Sequence, residues 1–181
     1  MRILSLDLSL SSTGYVVIID GKIKECNRIV SESKDVNLKS KKLKDYYYYH
    51  SNSDEDKRLY QLIIVLEYLI KHYQITDVVI ENQYVGCNPK VGLLLARIKG
   101  ATTYIAKLWN CNIHNITPTE VRKIVMNKGK VGKEEIAEYI RNNYYDCGEF
   151  SDKAGKNKTS DMYDAIALGV AFCKLNNIEV E

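Results

Sequence analysis

The chain has 181 residues, 45% of them hydrophobic and 27% charged, and these values favour one globular domain over two. Its formal net charge of +3 is too small either to require or to exclude a nucleic-acid partner. Its five cysteines form no C-x-x-C pair, and no apolar run is long enough to cross a membrane, so we expect reduced thiols in a cytoplasmic protein.

The first thirty residues predict three antiparallel strands. Their approximate bounds are Arg2 to Ser9, Gly14 to Ile19 and Lys22 to Val30. The dipeptide Asp20-Gly21 is a strong hairpin signal between the second and third strands. In the first strand, leucines at positions 4, 6 and 8 alternate with polar residues at 5, 7 and 9, so Asp7 projects opposite the leucines. The sequence thus predicts an acid on the polar face of a strand.

The rest of the chain predicts helices that alternate with two further strands. One expected helix begins near Ser53 or Asp54, and three others run from Val91 to Trp109, from Gly132 to Asn142 and from Ser160 to Leu175. The expected strands lie at 76–82 and 111–117. The predicted fold class is α/β, with a five-stranded mixed sheet of three antiparallel and two parallel strands flanked by helices. Such sheets carry their sites at the carboxyl ends of the parallel strands, which is where Asp7 and Glu81 are expected.

Four acids are candidates for a single site. Asp7 and Glu81 end predicted strands, while Asp161 and Asp164 share one face of the first turn of the last helix. Each also has an ordinary interpretation, as a helix cap, a first-turn acid, a turn cap or the partner of a lysine. Acids gathered at the rim of a buried sheet repel one another, and a divalent cation removes that penalty. We therefore predict a Mg²⁺ site, with Mn²⁺ as the alternative ion and two ions serving phosphodiester hydrolysis.

The motifs around these acids follow a recognisable order. They are DLSLSSTGY after the first strand, VIENQY at the fourth, KGA in the second helix and SDMYDAIALG at the last. In their order and spacing the chain resembles the RuvC-type Holliday junction resolvases of the RNase H-like superfamily, from Asp7 to about Cys173. The resemblance implies that Asp7, Glu81, Asp161 and Asp164 are catalytic, metal-binding carboxylates. It implies an endonuclease that resolves four-way DNA junctions by paired hydrolysis as a homodimer.

The resemblance also implies roles for three further residues. Arg122 and Lys133 fall where the family places two cations eleven residues apart near the scissile phosphate, so both are expected to bind DNA and Lys133 to be catalytic. Tyr84 falls where the family has an aromatic residue that wedges into the junction core. Apart from the family match, Arg122 and Lys133 would be surface cations and Tyr84 a packed loop residue. The second helix is assigned to the dimer interface, although its Leu93-Leu94-Leu95 run would equally suit a monomer core.

A polar, Lys/Tyr-rich stretch at about 31–57 is predicted to be an insertion or extended loop in the single domain. Its lysines directly precede four tyrosines, Tyr46 to Tyr49, which favours either a DNA-contacting arm or a solvated surface hairpin.

After Asp7 the chain has Leu8 and Ser9 where bacterial members typically have Pro-Gly. This departure, with the abundance of Lys, Asn, Tyr and Ile, favours a bacteriophage or prophage source.

Three other functions remain as alternatives at this point. A related RNase H-like nuclease acting on RNA-containing or other branched replication intermediates would use the same carboxylates. A module that binds junctions without cutting them would gain nothing from four acids facing phosphate. An actin-like ATPase would need two domains of this kind, and the chain has room for one. We expect branched DNA and a second copy of the chain as partners, no membrane, and a location in the bacterial cytosol.

Overall fold

The computed structural model of the protein describes residues 1–32, 48–51, 53–82, 88–148 and 159–181, with only the backbone for 32 and 48–51. The strands in these ranges are β1 (Arg2–Asp7), β2 (Ser12–Ile19), β3 (Lys22–Glu32), β4 (Tyr48–Ser51), β5 (Asp77–Glu81) and β6 (Asn112–Ile116). They form one sheet in the order β4-β3-β2-β1-β5-β6. β1, β2 and β3 are antiparallel neighbours, β5 runs parallel to β1, and β6 runs parallel to β5. The predicted mixed sheet is confirmed, with one strand more than expected.

The additional strand is β4, which lies inside the stretch predicted to be an insertion or extended loop. It pairs in parallel with the end of β3, with Ile29 opposite Tyr48 and Ser31 opposite His50. Tyrosine favours extended backbone, which suits a short edge strand, but the stretch lacks the alternation that would have revealed it. The lysines at 39, 41, 42 and 44, with Tyr46 and Tyr47, lie outside the described residues.

The described helices are α1 (Glu55–Tyr73), α2 (Pro89–Leu108), α3 (Pro118–Met126), α4 (Lys133–Asn143) and α5 (Ser160–Leu175). Four of them match the predicted helices within a few residues. The side chain of Asp54 caps α1 by accepting from the N–H groups of Asp56 and Lys57, and Asn88 caps α2. These caps explain why both helices begin where they do.

The helix α3 was not predicted, although the sequence carries its start signal. The side chain of Thr117 accepts from the N–H of Glu120, the side chain of Glu120 accepts from the N–H of Thr117, and Pro118 is the first helical residue. This reciprocal capping box is a known signature of helix initiation. The helix has only nine residues, of which Val121 and Val125 are buried, so its apolar periodicity is too short to stand out.

Both faces of the sheet are buried. The helix α5 packs on one face with Ile3, Val16 and Ile18, whereas α1 and α2 cover the leucine face of β1. Ser5 is fully buried beneath α5, and its Oγ donates to the carbonyl of Ala165 at 2.8 Å. The alternation alone would suggest that the polar face of β1 is exposed to solvent. In the structure, α5 covers this face.

Two glycines let α5 lie close to the sheet. A Cβ on Gly14, which pairs with Asp7 across the sheet, would lie 1.9 Å from the carbonyl oxygen of Asp161. A Cβ on Gly169 would lie 2.9 Å from Cδ1 of Ile18. The first turn of α5 consequently rests on the end of β1. No helix in the described ranges is both long and apolar enough to span a bilayer.

Candidate active site

Two of the four predicted carboxylates extend from neighbouring parallel strands. Asp7 is the last residue of β1 and Glu81 the last of β5. The two strands are in register, with Leu6 opposite Ile80, so both side chains leave the sheet at the same carboxyl edge. This placement is the one that the sequence predicts for a site in an open sheet.

The other two carboxylates come from the first turns of α5, which Gly14 allows to lie directly beside Asp7. Asp161 and Asp164 are the second and fifth residues of this helix, and Asp161 is only 5% exposed. The N-cap of α5 is Thr159, so the interpretation of Asp161 as a helix cap is wrong. Its Oδ1 instead accepts from Oγ of Ser160 at 3.2 Å. Helix capping therefore does not account for this buried acid.

Three of the acids act electrostatically on the fourth, Asp7. Burial raises the pKa of Asp7 well above its usual value, and the negative charges of Asp164, Glu81 and Asp161 raise this pKa further, in that order of size. The geometry agrees with this, because Glu81 ends the strand beside β1 and the first turn of α5 rests on Gly14, which pairs with Asp7. The structure thus brings together the four carboxylates that the motifs single out.

Lys133 places a positive charge at the edge of this group. It is the first residue of α4, and its Nζ donates to Oδ2 of Asp164 at 2.9 Å. Burial lowers the pKa of Lys133, but the charges of Asp164, Asp7 and Asp161 outweigh burial and raise this pKa above its usual value. The ammonium group is therefore firmly protonated while it faces the carboxylates.

Of the other two predicted residues, the structure describes Arg122 only. Arg122 lies half-buried on α3, and within the described ranges it forms no ion pair with the four carboxylates. Tyr84 lies outside the described residues. The DNA-binding roles that the resemblance implies for Arg122 and Tyr84 stay predictions.

The turn after Asp7 is stabilised by hydrogen bonds to serine and threonine side chains. The N–H of Ser9 donates to Oγ1 of Thr13 at 3.1 Å, and Oγ1 of Thr13 donates back to the carbonyl of Ser9. Buried Arg58 of α1 also bonds to this turn, because it donates to Oγ of Ser11 at 3.3 Å as well as to Oγ of Ser31 in β3 at 3.0 Å. These bonds tie the turn to the end of β3.

The buried Arg58 was not predicted, although the sequence contains a signal for it. Arg58 shares the spacing of the buried residues Leu62, Leu66 and Leu69, so it stands on the apolar stripe of α1. A charged residue on such a stripe requires hydrogen-bond partners in the folded protein. The partners themselves could not be predicted, because the serines that accept its bonds are 27 and 47 residues away along the chain.

The donor set fits a hard divalent cation, although the side chains are not arranged around one. Mg²⁺ and Mn²⁺ favour carboxylate oxygens, and four such groups meet here. Within the described ranges, no three His, Cys, Asp or Glu side chains are placed so that they could hold a metal ion as they stand. One of the four, Asp164, is instead paired with Lys133. Metal binding at this site therefore requires rearrangement of side chains but no new ligand type.

Comparisons with known proteins agree with this architecture. The chain is 26% identical over 174 residues to the crossover junction endodeoxyribonuclease RuvC of Helicobacter pylori, which covers 96% of this chain and 97% of the relative. It is 26% identical over 180 residues to the protein of the same name from Campylobacter concisus, covering 99% of each.

Among solved structures, RuvC of T. thermophilus in complex with a Holliday junction substrate aligns with a TM-score of 0.67 at 12% identity, over 99% of this chain and 98% of that one. This match in fold confirms the predicted RNase H-like class. The family model described as crossover junction endodeoxyribonuclease RuvC matches residues 3–173. The chain therefore belongs to the RuvC family of crossover junction endodeoxyribonucleases.

Proposed function

We propose that this chain is a metal-dependent endonuclease that resolves four-way DNA junctions by paired phosphodiester hydrolysis. The observation that carries the proposal is the environment of Asp7, a half-buried carboxyl at the sheet edge whose pKa is raised by burial and by the charges of three other acids. Such a group gains stability from bound positive charge. The relatives named above are crossover junction endodeoxyribonucleases, and the structural neighbour from T. thermophilus is described with a Holliday junction substrate. We place this activity in the bacterial cytosol, and a bacteriophage source stays a prediction.

The four carboxylates have a proposed role as metal ligands in phosphodiester hydrolysis. Asp7, Glu81, Asp161 and Asp164 would hold Mg²⁺, or Mn²⁺ in its place, in what we propose to be a two-ion site. When bound, these ions supply an activated water and counter-charge for the leaving oxygen. Oδ2 of Asp164 is paired with Lys133, and the other carboxylate oxygen of Asp164 can act as a ligand.

Lys133 also has a proposed role. Its ammonium, which has three N–H donors, can contact a DNA phosphate, where a fixed cation stabilises the charge that develops in the transition state. Arg122 is proposed to contact the phosphate backbone. Tyr84 is proposed to stack on a base at the junction core.

The test presents the purified protein with a synthetic four-way junction, a linear duplex of the same sequence and an RNA–DNA hybrid, each with Mg²⁺ or with EDTA. We expect paired nicks in the junction in Mg²⁺, none in EDTA, and little cutting of the linear duplex. Cleavage of the hybrid alone would replace this proposal with an RNA-directed nuclease. Tight junction binding without cleavage in Mg²⁺ or Mn²⁺ would leave only a binding module.

We propose a homodimer, which follows from the symmetry of the substrate and from an exposed apolar surface on the α1 and α2 side. A four-way junction offers two equivalent strands, which a two-fold dimer can engage with two sites. The exposed large apolar side chains on these helices are Tyr60, Ile64, Tyr68, Val91, Leu93, Tyr104 and Leu108. Leu93 is 67% exposed, whereas Leu94 packs against the core. Within the leucine run, Leu94 therefore packs against the core, and the exposed Leu93 is proposed to contact the second copy of the chain.

The substitution Leu93→Glu is expected to convert the dimer into a monomer, because a charge in the centre of an apolar interface must be desolvated without a partner. Light scattering after gel filtration measures the mass, and paired nicking of a cruciform plasmid should fall at least about tenfold. Leu175→Glu is the matched control, since Leu175 is 58% exposed at the end of α5, away from α1 and α2. A Leu93→Glu protein that remains dimeric would remove this surface from the interface.

A further inference from the structure

Two thiols from distant parts of the chain meet beside α5. Cys26 of β3 and Cys147, which follows α4, have their Sγ atoms 3.8 Å apart. Both are free thiols and both are half-buried. They are 121 residues apart along the chain, so their contact is a product of the fold. Cys26 opposes Val16 across the sheet and thus lies on the face that α5 covers.

The position of Cys147 is fixed by a hydrogen-bond network around Tyr163. The N–H of Cys147 donates to the Tyr163 hydroxyl at 3.2 Å, and this hydroxyl donates to the carbonyl of Gly148 at 2.6 Å. Nε of Arg141 also donates to the hydroxyl, at 3.1 Å. Tyr163 is almost fully buried on α5, so it anchors this turn to a rigid element. The two sulfurs are therefore held near each other by the structure of the backbone around them.

We propose that Cys26 and Cys147 form a reversible intramolecular disulfide with a low-molecular-weight disulfide as the oxidant. A disulfide joins sulfurs about 2 Å apart, and a separation of 3.8 Å is within reach of side-chain rotation. In a reducing compartment such a bond forms only transiently, as in redox-sensing proteins. The proposal concerns a modification site and is independent of the proposed nuclease activity.

The chemistry is two successive thiol–disulfide exchanges. The Cys147 thiolate attacks one sulfur of the small disulfide, forms a mixed disulfide and releases one small thiol. The Cys26 sulfur, after losing its proton to water, then attacks the Cys147 sulfur and releases the second small thiol. The protein loses two protons and two electrons, and the oxidant gains both.

The surroundings favour this order of events. A hydrogen bond to Cys147 and burial raise the pKa of the Cys26 thiol well above its usual value, so Cys26 stays protonated. Cys147 lies in a turn whose neighbours Asp146 and Gly148 are exposed, where a small disulfide can reach it. Cys147 is thus the thiol that reacts first, and Cys26 resolves the mixed disulfide.

The test incubates the full chain with glutathione disulfide, blocks the remaining thiols with iodoacetamide and maps the peptides by mass spectrometry. We expect a Cys26–Cys147 cross-link within one chain and a rise of about 5–10 °C in the unfolding midpoint, because the bond closes a long loop. Dithiothreitol should reverse both changes.

Variants distinguish the two sulfurs. Cys26→Ser is expected to stop at a mixed disulfide on Cys147, and Cys147→Ser should acquire no cross-link and no rise in midpoint. Cys87→Ser is the control and should keep the cross-link. Separate glutathione adducts on Cys26 and Cys147 of the unsubstituted protein, or a bond from either to another cysteine, would overturn the proposal even if a variant failed to fold.

Discussion

The substitution Gly14→Ala is expected to lower junction cleavage by at least about 100-fold while most of the sheet remains folded. The added Cβ would lie 1.9 Å from the carbonyl oxygen and 2.3 Å from the carbonyl carbon of Asp161. Both are backbone atoms, so no side-chain rotation relieves the clash. The first turn of α5, which carries Asp161 and Asp164, must therefore move away from the end of β1.

The size of this movement sets the expected effect. The separation must grow from 1.9 Å to the 3.4 Å at which ordinary contact begins. Misplacing a catalytic group by about 1 Å can cost about 100-fold in rate, so we expect a loss of at least this size. Overpacking of this kind typically lowers the free energy of unfolding by about 1–3 kcal/mol. The variant should thus lose far more activity than stability.

Single-turnover cleavage of a synthetic junction and thermal unfolding followed by circular dichroism measure the two effects. Gly100→Ala is the control for stability, because its Cβ would meet no atom within 4 Å and alanine favours the interior of a helix such as α2. It should unfold at the same or a higher temperature. A Gly14→Ala protein that cleaves within tenfold of the original chain would show that α5 does not need this close approach.

Gly14 and Asp7 differ in whether a local sequence pattern could identify them as important to the site. Asp7, Glu81 and the pair at 161 and 164 stand out because each breaks a local apolar pattern or repeats at helical spacing. The helix Ser160–Leu175 has the predicted bounds, because a continuous run without polar or charged residues occupies 165–173. Gly14 carries no such signal, since the atom that excludes a side chain there belongs to a residue 147 positions later.

Other features were not predicted for related reasons. The strand β4 is a four-residue edge strand without alternation, and α3 is signalled only by its cap. The contact between Cys26 and Cys147 depends on how α4 and its following turn pack against α5. Local periodicity thus predicts elements and the acids at their ends, whereas contacts between distant segments need the folded chain.

Asp7→Asn is expected to separate stability from activity. The amide keeps the shape of the carboxyl but removes the charge that holds a cation, so junction cleavage should fall by at least about 100-fold. In the metal-free protein the same change should raise the unfolding midpoint by about 2–4 °C, the shift that 1 kcal/mol produces in a chain of this size. An amide is not repelled by the three neighbouring carboxylates.

The stability gained through Asp7→Asn should depend on pH, in a direction set by the pKa of Asp7. Burial and the charges of Asp164, Glu81 and Asp161 raise the pKa of Asp7 in the folded protein above its value in the unfolded chain. As the pH rises, the unfolded chain therefore releases its proton first, and the folded state loses stability until the pH exceeds the raised pKa. In EDTA, the advantage of Asp7→Asn should be small near pH 4, about the ordinary pKa of aspartate, and grow towards neutral pH.

Thermal unfolding over this pH range, in EDTA and in Mg²⁺, tests the prediction. Added Mg²⁺ should stabilise the original chain and have little effect on Asp7→Asn, because a ligand stabilises only the state that binds it. Asp20→Asn is the matched control, since the N-terminal amine lowers the pKa of exposed Asp20 and its loss should not raise the midpoint. If Asp7→Asn is destabilised at neutral pH in EDTA, then the carboxylates do not repel one another in the folded chain, and the cation site inferred from their repulsion loses its physical basis.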